Sequence, residues 1–145
     1  GEKLHSETHI STGVREAFED FWPVFDNFSG IKGVLHSFSA TSNEVNAAVQ
    51  RGLYMGLNGI MTFTKNTQQL DAMKHIPLQN MVLETDSPFL TPTPLRGTIN
   101  VPANVRLVAA CLAEMRGESL DQLVEATTQN AHKLFSLNAS ELINL

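Results

Sequence analysis

Two carboxylates stand at the end of a short apolar segment, in the run MVLETDSPFL that begins at Met81. The first three residues have the composition of a buried strand, and the Ser-Pro pair that follows ends it. Because side chains alternate along a strand, Val82, Glu84 and Asp86 share one face. Acidic side chains are rarely buried unless they are paired or bind a metal ion. The segment therefore predicts either an internal ion pair or a functional site.

A second apolar segment ends in a histidine. Residues 33–38 (GVLHSF) predict a short strand that carries His36 near its end, and a cluster of Ser, Thr and Asn then leads into a helical pattern. Taken alone, such a histidine is more often a hydrogen-bonded core residue than a ligand. Imidazole at one strand end and carboxylate at another is, however, the ligand mixture of zinc, manganese and iron sites. The two segments together make His36 and Asp86 candidate metal ligands.

The elements that would position these side chains alternate along the chain. Strands are predicted over 33–38, 53–57 and 81–83, and helices over 14–28, 42–51, 65–74, 103–116 and 119–135, with a long loop over 88–102. This alternation predicts an α/β fold with a parallel sheet and right-handed crossovers. In such folds the chemistry sits at the carboxyl ends of the strands. His36 and Asp86 both occupy that position.

Composition narrows the class of protein. The chain has 145 residues, 42% of them hydrophobic, which is enough for one domain or for part of a larger one. Its net charge of −5 argues against a broad basic surface for duplex nucleic acid. Its one cysteine, Cys111, allows no intramolecular disulfide, which suits a cytoplasmic protein. Cys111 lies in an apolar row and is interpreted as a core residue. No apolar run is long enough to cross a membrane, so no membrane partner is expected.

The motifs resemble those of the TatD family of metal-dependent deoxyribonucleases, which are amidohydrolase-like (β/α)8 barrels. The resemblance rests on 33–39 (GVLHSFS), on 83–90 (LETDSPFL), and on Arg96-Gly97 followed by Asn100 and Pro102. Segments 54–59 and 130–135 support it, and it covers about residues 14–137.

The resemblance implies a site and a reaction. His36 and Asp86 would be metal ligands on the fifth and seventh barrel strands, and Asp86 would also be catalytic. Glu84 would be a supporting carboxylate on the inner face, and Arg96 would help to organise the loop over the site. The implied cofactor is one or two divalent metal ions (Zn, Mn or Mg). The implied reaction is hydrolysis of phosphodiester bonds in DNA by a metal-activated water.

Several features depart from the family pattern. Val101 stands where family members usually carry Glu, Gly13 stands where a ligand histidine is expected, and no His-x-His pair occurs. A complete barrel also needs about twice this length. Residues 14–145 are therefore expected to form a carboxyl-terminal half-barrel with strands 5–8, completed by self-association or by a missing amino-terminal half. Residues 1–13 are expected to be a non-native or disordered leader. Two interpretations stay open: a metal-dependent deoxyribonuclease, and a non-catalytic fragment or association module.

Overall fold

The structure is a computed structural model. It describes residues 9–10, 22–23, 25–27, 33–36, 38 and 41–143, and within these ranges it describes the side chains of residues 22 to 136. It contains a sheet of four parallel strands whose spatial order follows the sequence. The strands are β1 (His9–Ile10), β2 (Val34–Leu35), β3 (Tyr54–Leu57) and β4 (Met81–Leu83). Parallel strands joined by helical crossovers confirm the predicted α/β class.

Within the described residues, four helices of nine or more residues accompany these strands. They are α1 (Ser42–Gln50), α2 (Thr67–His75), α3 (Val105–Arg116) and α4 (Leu120–Ile143), and 3₁₀ turns cover Gly59–Thr62, Leu78–Asn80 and Pro102–Asn104. Asn66 caps α2 by accepting hydrogen bonds from the N–H groups of Gln68 and Gln69. Gly117 ends α3 in the left-handed conformation, with φ +66°. None of the helices described is both long and apolar enough to cross a membrane.

Two predictions concern the amino-terminal part of the chain. Most of the predicted helix over 14–28 lies outside the described residues, although Trp22, Pro23 and Phe25 are helical. Within the predicted leader, His9–Ile10 forms β1 and pairs with β2, so these two residues belong to the sheet. The boundary at residue 13 itself stays a prediction.

The two faces of the sheet differ in chemistry. Leu35, Met55 and Met81 are in register on neighbouring strands, and all three belong to the main hydrophobic core with Leu57. Residues from the helices complete this core, among them Val108, Leu112 and Leu123. The alternate positions face the other way: Val82 is buried but lies outside that core cluster. The polar side chains that extend from the strand ends lie on this second face.

Buried polar contacts fix the helices to the sheet. Asn130, on α4, is 3% exposed and its Nδ2 donates to the carbonyl oxygens of Leu78 (2.7 Å) and Met81 (2.8 Å), at the start of β4. Arg116, at the end of α3, donates to the Met73 carbonyl oxygen of α2 at 2.7 Å and pairs with Glu118. Because these groups are largely buried and have partners, Asn130 fixes α4 to the start of β4, and Arg116 fixes the end of α3 to α2.

Candidate metal centre

The carboxyl ends of β2, β3 and β4 place the candidate side chains on one face. Main-chain pairing continues past the strand ends, because Phe38 N donates to Gly56 O at 2.8 Å and Glu84 N donates to Leu57 O at 2.9 Å. Gly56 pairs with Val82, and extending the registers by one step sets His36 beside Gly56. Since side chains two apart share a face, Glu84 follows Val82 on the same side.

His36 and Glu84 form a close pair across β3. The Nδ1 atom of His36 lies 2.6 Å from Oε2 of Glu84, and the two side chains are 39% and 15% exposed. In the neutral tautomer that carries its proton on Nδ1, the imidazole donates to the carboxylate and its lone pair is on Nε2. A carboxylate that orients a histidine in this way is the usual second partner of a metal-binding imidazole. The contact therefore supports a ligand role for His36, with Glu84 as its orienting group.

Gly56 leaves room for this pair. A Cβ atom at position 56 would lie 2.5 Å from Oε2 and 2.7 Å from Cδ of Glu84, which is closer than side chains approach. Only a residue without Cβ therefore allows the Glu84 carboxylate to cross β3 towards His36. The sequence prediction noted a glycine-containing strand at 54–59 but gave Gly56 no role. Its position between His36 and Glu84 appears only once the strands are paired.

Asp86 is held by a residue that the sequence prediction did not select. Nδ2 of Asn58 donates to Oδ2 of Asp86 at 2.8 Å. Asn58 is 2% exposed, and it lies two residues beyond Gly56, on the same face of the sheet. A signal was present in the sequence, since Asn58 is a polar residue at the end of an apolar strand, as His36 is.

The loop after β4 is anchored at both of its ends. The N–H of Phe89 donates to the Asp86 carbonyl oxygen at 2.6 Å. Asn100, which is buried, donates from its main chain to Pro88 O (3.1 Å) and from Nδ2 to Phe89 O (2.8 Å). The chain therefore turns directly after Asp86, and the hydrogen bonds of Asn100 fix the far end of the loop to this turn. Val101, beside this anchor, is half exposed.

Arg96 lies within the same loop. Its Nη1 donates to the Thr91 carbonyl oxygen at 2.9 Å, and its guanidinium lies 4.0 Å from the centre of the Phe63 ring. A cation over an aromatic face is a favourable contact, strongest where water is excluded. Arg96 thus connects the loop to the segment that follows β3.

Two of the described side chains have donor atoms that suit a divalent cation. His36, through Nε2, and Asp86, through its carboxylate, are donors suited to Zn²⁺ or Mn²⁺. Within the part of the chain that the structure describes, no group of three or more His, Cys, Asp or Glu side chains could hold a metal ion. A catalytic zinc usually takes three protein ligands. The donor chemistry of His36 and Asp86 fits a divalent cation.

Comparison with protein families agrees with this geometry. The model of the family described as TatD related DNase matches residues 7–136, nearly the whole chain. The chain belongs to this family. The match begins before β1 and extends through most of α4, so it includes the strand ends that carry His36, Asn58, Glu84 and Asp86.

Relatives of this TatD-family chain are known from curated sequences and solved structures. An Escherichia coli K12 protein named uncharacterized metal-dependent hydrolase YcfH is 40% identical over 110 residues, which are 76% of this chain and 42% of that protein. The Bacillus subtilis protein YabD, named in the same way, is 31% identical over 126 residues, or 86% of this chain and 49% of YabD. The crystal structure of a TatD-family hydrolase from Entamoeba histolytica has a TM-score of 0.72 at 22% identity, covering 83% of this chain and 48% of that one.

These comparisons bear on fold and length. The structural match shows that the α/β fold is like that of TatD-family structures. The chain spans about half the length of the curated relatives that it matches.

Proposed function

We propose that this chain contributes to a metal-dependent hydrolase that cleaves phosphodiester bonds in DNA. The observation that carries the proposal is the contact between His36 and Glu84, which orients the imidazole, and Asn58 at the end of the intervening strand holds Asp86. The description of the matching family as TatD related DNase, and the names of the two metal-dependent hydrolases above, support the reaction class.

Each residue of the site has a separate role in this proposal. His36 and Asp86 would hold the divalent cation, and Glu84 would fix the tautomer and the direction of His36. When bound, the cation supplies a nucleophilic water at neutral pH and positive charge for the phosphoryl oxygens. The Asp86 carboxylate can also accept the proton of an attacking water. Because the cation supplies the local positive charge, the net charge of −5 is compatible with a nucleic-acid substrate.

We also propose that the four parallel strands are the carboxyl-terminal half of a barrel. The missing strands would come from an amino-terminal half-barrel or from a second copy of the chain. A symmetric pair would bring together two sets of His36 and Asp86, and a site of a different composition would result. The mass of the chain in solution separates these cases, since a dimer supports pairing of copies and a monomer excludes it.

The deciding experiment is cleavage of single-stranded DNA by the purified chain in Mn²⁺ or Mg²⁺. Asp86→Asn keeps the shape of the side chain and removes its charge, so it should abolish cleavage. Asp71→Asn removes the same charge from an exposed position on α2 and should leave cleavage unchanged. Equal cleavage by the Asp86→Asn variant would show that the activity comes from another site or from a contaminant.

A second candidate function is a non-catalytic half-barrel that only associates. The incomplete ligand group of the described residues favours it. A folded chain that binds a partner half but neither Mn²⁺ nor DNA would establish this alternative.

A further inference from the structure

The segment after β3, from Asn58 to Phe63, contacts the loop after β4 at several points. Asn58 contacts Asp86, the Thr62 hydroxyl accepts a hydrogen bond from the N–H of Thr93 at 2.9 Å, and Arg96 covers Phe63. The 3₁₀ turn Gly59–Thr62 packs in turn against α3, and its Met61 is buried in the main core. The segment is therefore a fixed surface against which the loop that begins at Asp86 is aligned.

Both ends of the Asn58 amide are engaged. Oδ1 accepts the N–H of Ile60 at 3.0 Å, and Nδ2 donates to Oδ2 of Asp86 at 2.8 Å. The two contacts decide the orientation of the amide, because a flipped amide would point its NH₂ group at the Ile60 N–H and its oxygen at a carboxylate. A buried amide without partners is costly, so the orientation is strongly preferred.

We propose that Asn58 is the positioning residue for Asp86 and sets the affinity of the proposed site for its divalent cation. The inference rests on the function proposed above. Asn58 fixes one carboxylate oxygen from a donor that the core holds in place, so Asp86 does not have to be ordered when the cation binds. An amide is also neutral, unlike the side chain of Lys or Arg. It therefore stabilises the carboxylate without adding a positive charge that competes with the cation.

The test measures Mn²⁺ binding by titration calorimetry, together with the rise in unfolding temperature that Mn²⁺ causes. Asn58→Ala removes both contacts and should weaken Mn²⁺ binding about 10- to 100-fold, the usual loss for a group that orients a metal ligand. Asn58→Ser should recover part of the affinity, since a hydroxyl can accept from Ile60 and donate its proton to Asp86.

Asn66 provides the matched control. It also caps a helical turn through Oδ1, at α2, but it is exposed and its side-chain oxygen accepts from the N–H groups of Gln68 and Gln69. Asn66→Ala should lower the unfolding temperature without Mn²⁺ and leave both the Mn²⁺ affinity and the Mn²⁺-induced rise unchanged. A purely structural role of Asn58 would produce that same pattern.

The outcomes separate the two proposals. Unchanged Mn²⁺ affinity of the folded Asn58→Ala and Asn58→Ser variants would overturn the role of Asn58 and leave the proposed function intact. An equal loss of affinity in Asn66→Ala would also overturn it, because the loss would then follow from general destabilisation. Absence of Mn²⁺ binding by the unsubstituted chain would contradict the proposed function and remove the role of Asn58 with it.

Discussion

Gly56 lies directly beneath the Glu84 carboxylate, at a distance that leaves space for a hydrogen atom and not for a side chain. This relationship connects β3, which lies between β2 and β4, to the His36–Glu84 pair that spans it. The atoms that a Cβ would meet belong to the far end of a flexible side chain. Glu84 can therefore rotate away from a larger residue at position 56. Such a substitution would disturb the contact between Glu84 and His36 rather than the fold.

The first prediction follows from that geometry. Gly56→Ala should displace the Glu84 carboxylate from His36 and weaken Mn²⁺ binding about tenfold or more, with only a small loss of stability. Titration calorimetry and urea unfolding measure the two effects. In a Glu84→Ala background the additional loss from Gly56→Ala should disappear, because the displaced group is already absent. Additive losses in this double-mutant cycle would refute the explanation.

Gly59 is a second glycine with little space around it, but the atoms nearest to it belong to the main chain and not to a side chain. A Cβ at Gly59 would overlap the carbonyl oxygen of Leu90, and it would lie 3.2 Å from Pro92 N. Leu90 itself has φ +54°, a conformation that non-glycine residues rarely adopt. Main chain cannot rotate away as Glu84 can, so a substitution at Gly59 has to move the loop.

We therefore predict that Gly59→Ala destabilises the protein by about 1–3 kcal/mol and opens the loop after β4. Hydrogen exchange should be faster at Thr93 N, whose acceptor is the Thr62 hydroxyl. Gly52→Ala is the control: Gly52 has φ +68° and open space around it, so its cost is backbone strain of about 1–2 kcal/mol. We expect Gly52→Ala to destabilise the protein to a similar extent as Gly59→Ala, with unchanged hydrogen exchange at Thr93. Equal acceleration in both variants would argue against a local effect of Gly59.

The helices and strands could largely be predicted from hydrophobic period and from the residues that end each element. The strand predicted over 53–57 is observed over Tyr54–Leu57, and the helix predicted over 42–51 is observed over Ser42–Gln50. The last helix extends to Ile143, beyond the predicted end at residue 135. Its apolar pattern weakens there, and no Gly or Pro marks an end.

The candidate site could be predicted only in part. His36, Glu84 and Asp86 were recognisable because each is a polar or charged residue at the end of an apolar segment. Gly56 was not, because its role depends on which strands are neighbours and on their register. Asn58 has the same position at the end of an apolar strand, but its contact with Asp86 also depends on that pairing. A strand as short as His9–Ile10 gives too little alternation to be recognised from sequence.

A third prediction concerns stability in acid. Asp26 forms an ion pair with Arg51, Oδ2 to Nη2 at 2.7 Å, and the hydrogen bond from Arg51 lowers the pKa of the Asp26 carboxyl despite some desolvation. Arg51 also lies 4.4 Å from the centre of the Trp22 ring. Because the folded-state pKa is below the unfolded one, the pair stabilises the fold fully above the ordinary Asp pKa. This contribution is lost as the pH falls through the folded-state value.

Asp26→Asn should therefore lower stability by a constant amount near neutral pH. The difference from the unsubstituted chain should shrink as the pH falls below about 4, where the unfolded carboxyl becomes protonated, and should be smallest once the folded carboxyl is protonated as well. Urea unfolding at several pH values measures this difference. The exposed pair should also weaken at high salt. A difference that persists unchanged to the lowest pH would show that the side chain acts by packing or by a neutral hydrogen bond.

The last prediction concerns the chain's one cysteine. Burial, with a smaller contribution from the charge of Glu114, raises the pKa of the Cys111 thiol. The thiolate is the reactive form, so alkylation of the folded chain by iodoacetamide should be slow at pH 7–8 and should still increase above pH 9. Intact mass counts the modified thiol directly, and the urea-unfolded chain gives the reference rate. Because burial is the larger cause, Glu114→Gln should accelerate the reaction only slightly. A folded-state rate that equals the unfolded one at pH 8 would contradict a partly buried thiol with a raised pKa.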